Sequence, residues 1–392
     1  MITEVSRDSH QPEANASQSG SVNPIFSSQN KLKIGIFGTN GKGVTQTLVP
    51  EAGKRNWPIS LETAKIADEA GYEAVVPYAR WKGYVDDDPR HASGEVMDPF
   101  TWAAGIAQAT KRVGIFVTSH APTIHPIMAA KQLATIDIIS NGRLGLNVVG
   151  GWNRPELEMF GAPLKEHDER YDHLAEWLQI MERLWSEYDD FDYRGRFFNV
   201  LKGVSLPKPL QQPRPAIMNA GGSDRGRAFA CEHADMCFVV VKSDVKEKIQ
   251  ADVEGYKSLA RQTFGREVQV WTNAFVVQGD TQAEAEDYLQ YYAVEHQDRR
   301  SVDGWMEKQR VETQILPPAI FESFRMRIAA GAGGFPLVGT ADHIAERIQF
   351  LSSCGIDGIL LTWVDYVAGM HSFNNAVLPQ LEQMGLRNPV TE

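Results

Sequence analysis

The chain has 392 residues, of which 43% are hydrophobic and 23% are charged. That composition is typical of a folded globular protein, and the length suits either two ordinary domains or a single α/β barrel with insertions. The 39 Lys and Arg residues against 50 Asp and Glu residues give a net charge of −11. This balance excludes a general electrostatic attraction to nucleic acid or to an anionic membrane.

The N-terminal residues and the cysteines indicate the compartment. Cys231, Cys237 and Cys354 lack the spacing of a zinc site or a disulfide framework. No apolar run approaches the roughly 20 residues that span a bilayer, and residues 1–30 lack the apolar stretch of a secretory signal. We therefore expect a cytoplasmic protein. Residues 1–30 are rich in Ser, Gln, Asn, Glu and Pro, so we predict a disordered tail there and a single folded domain over residues 31–392.

Eight short apolar segments follow in chain order, and they alternate with amphipathic helical patterns. The predicted strands are residues 31–38, 73–80, 113–120, 143–151, 216–221, 236–241, 269–277 and 358–364. Strand followed by helix, repeated eight times, is the arrangement of a (β/α)8 barrel, in which both faces of each parallel strand are buried. A doubly wound sheet stays open as an alternative, but it would use fewer units, and nothing in the sequence marks a second domain.

Three segments exceed the length of a minimal barrel. They are residues 39–59, an acidic insertion after the fourth strand that ends in a short hairpin at residues 191–199, and residues 297–337. Loops that follow the strands of such a barrel form its C-terminal face, where active sites are built. We expect residues 297–337 to act as a lid, because they contain the hinge-like run Gly-Ala-Gly-Gly at 331–334.

Two glycine-rich runs follow predicted strands. The run GTNGKG at residues 38–43 lacks the first glycine and the hydroxyl residue of a P-loop, so it predicts only a flexible loop. Residues 220–226 follow the fifth strand and open a helix, so the backbone N–H groups of residues 221–224, the Ser223 hydroxyl and the helix dipole converge. They predict a phosphate site, with a plain turn capped by Ser223 as the alternative.

Polar side chains interrupt the third and fourth strands. Asn147 lies within an apolar strand and Thr118 lies near the end of the preceding one, so each must face the barrel mouth or find a buried partner. His120 and His125 have no carboxylate at metal-binding spacing, which favours structural or substrate-lining roles and predicts no metal site. Neither a Ser-His-Asp set nor a paired-carboxylate motif is present, so hydrolase chemistry has little support.

Taken together, four segments resemble the bacterial luciferase-like flavin-dependent monooxygenases. They are AAKQLATID at 129–137, NGRLGLNVVGGW at 141–152, HDERY at 167–171 and GGS at 221–223. The similarity runs from about residue 31 to the C-terminus and is greatest to the branch of dimethyl-sulfone, alkanesulfonate and pyrimidine monooxygenases. It implies a (β/α)8 barrel, reduced FMN delivered by a separate NAD(P)H:flavin reductase, molecular oxygen as co-substrate, and a homo-oligomer, either dimer or tetramer.

The resemblance also implies roles for individual residues. The matching cofactor contacts are Ala79, Arg80, Asn147 and Glu156 near the flavin ring, and Arg170, Tyr171, Gly222 and Ser223 at the ribityl phosphate. Thr118 and Asn147 match the catalytic positions that line the oxygen pocket of the pyrimidine-type enzymes. The resemblance implies that the oxygen adduct forms there at flavin nitrogen-5 rather than at carbon-4a.

The substrate is predicted from side chains at strand ends and from two departures from the family. The predicted substrate wall consists of His120, Trp271, Phe275 and Trp363. Alkanesulfonate monooxygenases carry Arg and His on the seventh strand, whereas this chain has Asn273 and Phe275 at those positions. Because burying an unpaired sulfonate is costly, we expect a small uncharged substrate, either a sulfone-like organosulfur compound or an N-heterocycle or amide.

Two other functions stay open. A deazaflavin (F420)-dependent dehydrogenase of the same superfamily would share the barrel, transfer hydride and need no oxygen. Such enzymes are usually glycine-rich around the position of Asn147, and this chain is not. The second alternative is a flavin-binding barrel without turnover, against which the presence of Thr118 and Asn147 argues.

Overall fold

The computed structural model describes residues 22–42, 44–53, 56–313 and 324–390. Within them the strands are β1 (Lys33–Phe37), β2 (Ala74–Val76), β3 (Gly114–His120), β4 (Leu144–Val149), β5 (Phe191–Arg194), β6 (Asn199–Gly203), β7 (Ala216–Asn219), β8 (Met236–Val239), β9 (Gln269–Gln278), β10 (Phe335–Gly339) and β11 (Gly358–Thr362).

The α-helices alternate with these strands along the chain. They are α1 (Pro24–Ser27), α2 (Trp57–Glu69), α3 (Pro99–Ala109), α4 (Pro126–Ile139), α5 (Arg154–Met159), α6 (His167–Ser186), α7 (Asp224–His233), α8 (Lys246–Phe264), α9 (Gln282–Gln290), α10 (Arg299–Thr313), α11 (Arg325–Gly331), α12 (Ala341–Ser353), α13 (Tyr366–Ala376) and α14 (Leu378–Gln383). None of the helices in the described ranges is both long and apolar enough to cross a membrane.

Eight parallel strands close a barrel. Their order is β1, β2, β3, β4, β7, β8, β9 and β11, and β11 pairs back onto β1. Every residue of β3 and of β11 is buried, because side chains fill the interior and helices cover the outside. All eight strands fall on predicted segments, so the (β/α)8 barrel is confirmed and the doubly wound sheet is wrong.

Two additions extend the barrel. β5 and β6 form an antiparallel hairpin after α6, where the sequence predicts one. β10 pairs with residues 274–278 of β9, beyond the residues that β9 shares with β8. The first residues of β10 belong to the segment predicted as a lid, so that end of the segment is part of the sheet. Residues 314–323 of the predicted lid lie outside the described residues, and its closing motion stays a prediction.

A segment assigned to the predicted tail closes the N-terminal end of the barrel. The Asn23 side chain caps α1 by accepting from the Ile25 N–H, and it donates to the Leu144 carbonyl at the start of β4. Ile25 is fully buried against Phe116 and Trp271 inside the barrel. The predicted boundary at residue 30 is therefore wrong, because residues 23–30 belong to the folded domain. Residues 1–21 of the predicted tail lie outside the described residues.

Candidate active site

A cavity of about 310 Å³ lies at the C-terminal end of the barrel. Its walls come from the ends of β1, β3, β4, β8 and β9 and from the loops after β2 and β7, and α10 contributes Trp305 and Gln309. A second opening, of about 530 Å³, lies beside it between α10 and the loop after β2, and the two share Tyr84. We take the first cavity as the candidate active site, because the carboxyl ends of the barrel strands converge there.

Thr118 and Asn147 face each other across β3 and β4 on the wall of this cavity. The Asn147 Nδ2 donates to Thr118 Oγ1 over 3.0 Å, and the Thr118 hydroxyl donates to the Pro77 carbonyl. Asn147 Oδ1 is buried and has no hydrogen-bond partner within the described ranges. An unpaired buried polar atom costs about 1–3 kcal/mol, so its presence on a cavity wall indicates a place where a ligand binds.

Three more amide side chains on the wall have the same property. The side-chain oxygens of Gln46, Asn153 and Asn273 are buried and lack a partner in the part of the chain that the structure describes. Asn273 Nδ2 donates to the Ala332 carbonyl over 3.2 Å, which fixes the orientation of that amide. The polar surface of the cavity therefore consists largely of neutral amides rather than of charged groups.

His120 and Glu156 form a buried pair on the same wall. Their Nδ1 and Oε1 atoms lie 2.8 Å apart, and the side chains are 6% and 2% exposed. The other carboxylate oxygen accepts from the backbone N–H groups of Trp81 and Lys82. Burial by itself would raise the pKa of Glu156, but the hydrogen bond and charge of His120 and these N–H groups hold that pKa below its ordinary value.

Ala79 and Arg80, predicted near the flavin ring, both line the cavity. The Arg80 guanidinium carbon lies 4.5 Å from the ring centroid of Tyr78 and 4.0 Å from that of Tyr84. Stacking between two rings holds the cation in one orientation. The structure thus brings both residues to the site, and their contact with a flavin stays a prediction.

The predicted phosphate residues lie where the turn after β7 meets α6. Ser223 caps α7 by accepting from the Gly226 N–H over 3.1 Å. Tyr171 of α6 packs so closely that a Cβ on Gly226 would lie 2.3 Å from its hydroxyl oxygen, so this position requires glycine. Burial raises the pKa of Tyr171, against the effects of a hydrogen bond from Ser223 and the charge of Arg170.

The remaining two predicted phosphate residues differ in their surroundings. Arg170 donates to the Gly151 carbonyl over 3.2 Å, so it reaches toward the end of β4. Gly222 is exposed, and a Cβ there would meet nothing within 4 Å. Open space before the N-terminus of α7, beside Ser223 and Tyr171, is the arrangement that suits a bound phosphate.

Two aromatic residues predicted to line the substrate site lie at other depths inside the barrel. Trp271 lies near the start of β9 and packs with Ile25 at the closed end. Phe275 lies under α11, where a Cβ on Gly331 would meet it at 2.6 Å. The predictions for both residues are wrong, because alternation along a strand gives the inward face but not the depth along the barrel axis.

Trp363 is also misplaced by the prediction. It follows β11 and packs outside the barrel against Tyr366 and Phe373 of α13, with ring centroids 5.8 Å away in each case. Of the four residues predicted to line the substrate site, only His120 lines the cavity. The sequence reasoning also missed Trp305 and Gln309, which reach the mouth from a long insertion whose spacing carries no signal for the site.

Among the described residues, no group of three or more His, Cys, Asp or Glu side chains could hold a metal ion. All three cysteines are buried and unpaired as thiols.

The fold and the site together define a parallel (β/α)8 barrel whose C-terminal mouth is polar. The family model described as luciferase-like monooxygenase matches residues 34–358, and the chain belongs to that family. The family predicted from the four sequence segments is therefore confirmed.

Two curated relatives match over most of their length. The FMNH(2)-dependent dimethylsulfone monooxygenase of Pseudomonas putida is 30% identical over 342 residues, which cover 84% of this chain and 90% of that protein. The pyrimidine monooxygenase RutA of Acinetobacter baylyi is 30% identical over 364 residues, which cover 89% and 94%. The chain is similar to both.

Solved structures share the fold. The long-chain alkane monooxygenase LadA superposes with a TM-score of 0.81 at 24% identity, covering 93% of this chain and 94% of that one. DmoA from Hyphomicrobium sulfonivorans superposes with a TM-score of 0.75 at 20% identity, covering 91% and 89%. At these identities the likeness shows the fold alone.

Proposed function

We propose that this chain is a two-component monooxygenase that uses reduced FMN and molecular oxygen to oxygenate a small uncharged organic substrate. The observation that carries the proposal is the bonded pair Thr118 and Asn147 on the wall of a cavity that extends to Ala220, directly before the turn at Ser223. The site thus combines a polar wall with an adjacent anion-binding turn. The two relatives, one FMNH2-dependent and one acting on pyrimidines by name, support this class of reaction.

The residues present fit FMN. Partnerless amide oxygens line the cavity, and the turn before α7 offers Ser223, Tyr171 and open space beside Gly222 for the phosphate. When bound, reduced FMN would supply the electrons that activate oxygen. The protein's own contribution is to hold the ring, exclude water and present hydrogen-bond donors at fixed positions.

Thr118 and Asn147 divide that last task. Thr118 has one hydroxyl proton and donates it to the Pro77 carbonyl. In its hydrogen bond with Asn147, the Thr118 oxygen is therefore the acceptor. Asn147 keeps a second Nδ2 proton for a ligand. In this arrangement Asn147 is the donor that faces the reacting groups, and Thr118 is the positioning residue that fixes its amide.

An uncharged substrate agrees with the chemistry of the wall. Asn273 lies on the seventh barrel strand and is tied to the Ala332 carbonyl, so no cation is held there for a sulfonate. The charged side chains that do line the cavity have partners, since Glu156 is bonded to His120 and Arg80 is stacked between two rings. A charged substrate would gain a counter-charge only by displacing these contacts, which is costly.

The two alternative functions are not favoured. A solved F420-dependent secondary alcohol dehydrogenase shares the fold with a TM-score of 0.65, but its 16% identity shows the fold alone. The relatives at 30% identity are both monooxygenases by name. A barrel without turnover would have no need of an Asn147 amide that is held in place by Thr118.

The proposal includes partners and a compartment. A separate NAD(P)H:flavin reductase would supply the reduced FMN, as the name of the FMNH(2)-dependent relative suggests. The cytoplasm provides both the reductant and the reducing conditions that suit three free thiols. We further propose a homo-oligomer, dimer or tetramer, which sedimentation analysis would establish.

A labelled-oxygen screen tests the function. The purified chain would be supplied with a flavin reductase, NADH, FMN and ¹⁸O₂, together with dimethyl sulfone, uracil or methanesulfonate, and the products analysed by mass spectrometry. We expect one labelled oxygen atom in the product of an uncharged compound. Turnover of sulfonates but not of sulfones, amides or heterocycles would contradict the substrate class. Turnover with reduced deazaflavin and no oxygen would contradict the reaction.

A further inference from the structure

The buried His120–Glu156 pair is more than a wall of the cavity. One oxygen of Glu156 accepts from the backbone N–H groups of Trp81 and Lys82, and the other lies 2.8 Å from His120 Nδ1. A carboxylate that accepts this many bonds is in its charged form. A charged carboxylate has no proton to donate, so the proton in the bond between Glu156 and the imidazole must lie on His120 Nδ1.

This bond decides what the other ring nitrogen can do. With the Nδ1 hydrogen directed at Glu156, Nε2 is the ring nitrogen left to take up or release a proton. That atom has no hydrogen-bond partner among the residues that the structure describes, and the side chain lines the cavity. A carboxylate bonded to an imidazole that lines a cavity, with the second ring nitrogen uncommitted in the described part of the chain, is an arrangement that can move protons.

The loop after β2 packs against this pair. The Trp81 ring lies 6.1 Å from the His120 ring, centroid to centroid, and restricts its rotation. Tyr78, Arg80 and Tyr84 are the titratable side chains of that loop that line the same cavity, and the charges of Arg80 and Glu156 both act on the Tyr84 hydroxyl. Lys82 reaches Glu156 through its backbone N–H.

We propose that His120 is the proton-transfer residue of this site and that Glu156 is the positioning residue that holds its tautomer. The proposal rests on the monooxygenase function above. It names the group that handles protons, a role that neither Asn147 nor Thr118 can fill, because amides and alcohols do not titrate in the neutral range.

The overall reaction requires such a group. Substrate, O₂ and FMNH₂ yield oxygenated substrate, FMN and one molecule of water, so one oxygen atom enters the product and the other gains two protons. Reduced flavin, when bound, would supply both electrons and both protons in this balance. His120 takes up a proton at Nε2 and returns it to the oxygen that leaves as water, and it ends the turnover unchanged.

The first test needs no substrate. Full-length protein labelled with ¹⁵N in histidine would be studied by long-range ¹H–¹⁵N correlation NMR, with the His120 signals assigned by their loss in His120→Gln. We expect Nδ1 to keep its hydrogen and Nε2 to be the nitrogen that exchanges its proton, and a change in this pattern in Glu156→Gln. A hydrogen held on Nε2 with Nδ1 unprotonated in the unaltered protein would overturn the proposal.

The second test asks whether Nε2 faces the ligand space. Carbethoxylation of the full-length protein by diethyl pyrocarbonate would be mapped by mass spectrometry with and without oxidised FMN. We expect His120 to react and FMN to slow that reaction. His125 is the control, because it follows β3 by only five residues but caps α4 and packs against Phe198. Reaction at His125 with none at His120 would contradict the proposed exposure of Nε2.

The third test uses turnover of dimethyl sulfone and uracil as the two probe compounds. His120→Gln should lower the rate of labelled product by about 10²–10⁴-fold, whereas His125→Gln should leave it unchanged. Added imidazole should restore part of the rate in His120→Ala, which a merely structural residue would not allow. Full activity of His120→Gln would overturn the proposal. If the unaltered protein oxygenates neither probe, the proposed function fails, and the NMR and labelling results still decide the role of His120.

Discussion

The two ends of the barrel are built from the same strands but treat buried polar groups in opposite ways. At the N-terminal end, Glu73 and Arg387 form an ion pair at 2.8 Å with side-chain exposures of 1% and 2%. Arg387 also donates to the Leu32 and Gly71 carbonyls, and Glu73 also accepts from the Ile34 N–H. Each of these buried charged groups is fully engaged within the protein.

At the C-terminal end, several buried polar atoms lack a hydrogen-bond partner in the described part of the chain. The side-chain oxygens of Asn147, Asn153 and Asn273 are buried without partners in the described part of the chain. A packed, fully bonded end stabilises the fold, whereas an end with unpaired acceptors loses stability until a ligand supplies donors. Stability therefore depends mainly on the closed end of the barrel and ligand binding on the open end, and substitutions at each end test this division.

The largest effect is expected for Arg387→Ala at the closed end. Removing one member of a buried pair leaves Glu73 charged and unpaired, which should lower the free energy of unfolding by about 3–5 kcal/mol. Denaturant titration would measure it. The control is Arg183→Ala, which breaks the half-exposed i,i+4 pair with Glu187 and should cost no more than about 0.5 kcal/mol. Equal losses in the two variants would contradict the assignment of stability to the closed end.

Ile25→Ala should follow in size. It removes a fully buried side chain that packs on Phe116 and Trp271, and such truncations cost about 2–5 kcal/mol. Val22→Ala provides the control, because Val22 is 55% exposed. Thermal melting of both variants would show whether the N-terminal segment closes the barrel, and an unchanged melting curve for Ile25→Ala would show that it does not.

The closed end also shows why the sequence predicted the barrel but not the N-terminal segment, residues 23–30, that closes it. A buried strand is a local feature of the sequence, so an apolar run such as residues 113–120 is enough to predict it. Ile25 is one apolar residue in a polar stretch, and its partners Phe116 and Trp271 lie far away in sequence. Composition averaged over thirty residues therefore indicated a tail, although the Asn23 cap before Pro24 is a local helix signal.

At the mouth of the barrel, the sequence pointed to some of the polar residues but not to the aromatic ones. Asn147 and Ser223 stand out because a polar residue inside an apolar strand, or at the start of a helix, needs a reason. Trp271 was placed at the mouth because the sequence does not give its depth along the barrel axis. Trp363 was placed there because the alternation of a strand no longer predicts which way a side chain points once the strand has ended. Trp305 comes from an insertion that no strand pattern governs.

Asn147→Ala should separate the two properties at the open end. It removes the donor that faces the ligand space, and the loss of one preorganised donor lowers turnover by about 10²–10³-fold. The free energy of unfolding should change by no more than about 1 kcal/mol, because the partnerless oxygen is removed together with the bond to Thr118. Labelled product and denaturant titration would be measured on the same preparation. A variant that is strongly destabilised but active would reverse the comparison.

The smallest effects are expected at the turn before α7, where two variants test whether the open end binds the FMN phosphate. Ser223→Ala removes a cap and a hydroxyl facing the predicted phosphate, so FMN affinity should fall by about 0.5–2 kcal/mol in flavin fluorescence titrations. Gly222→Ala is the more selective variant, because its Cβ meets nothing within 4 Å of protein. It should therefore leave the melting temperature unchanged and weaken FMN binding only if the phosphate occupies that space. Unaltered FMN affinity in both variants would place the phosphate elsewhere on the mouth.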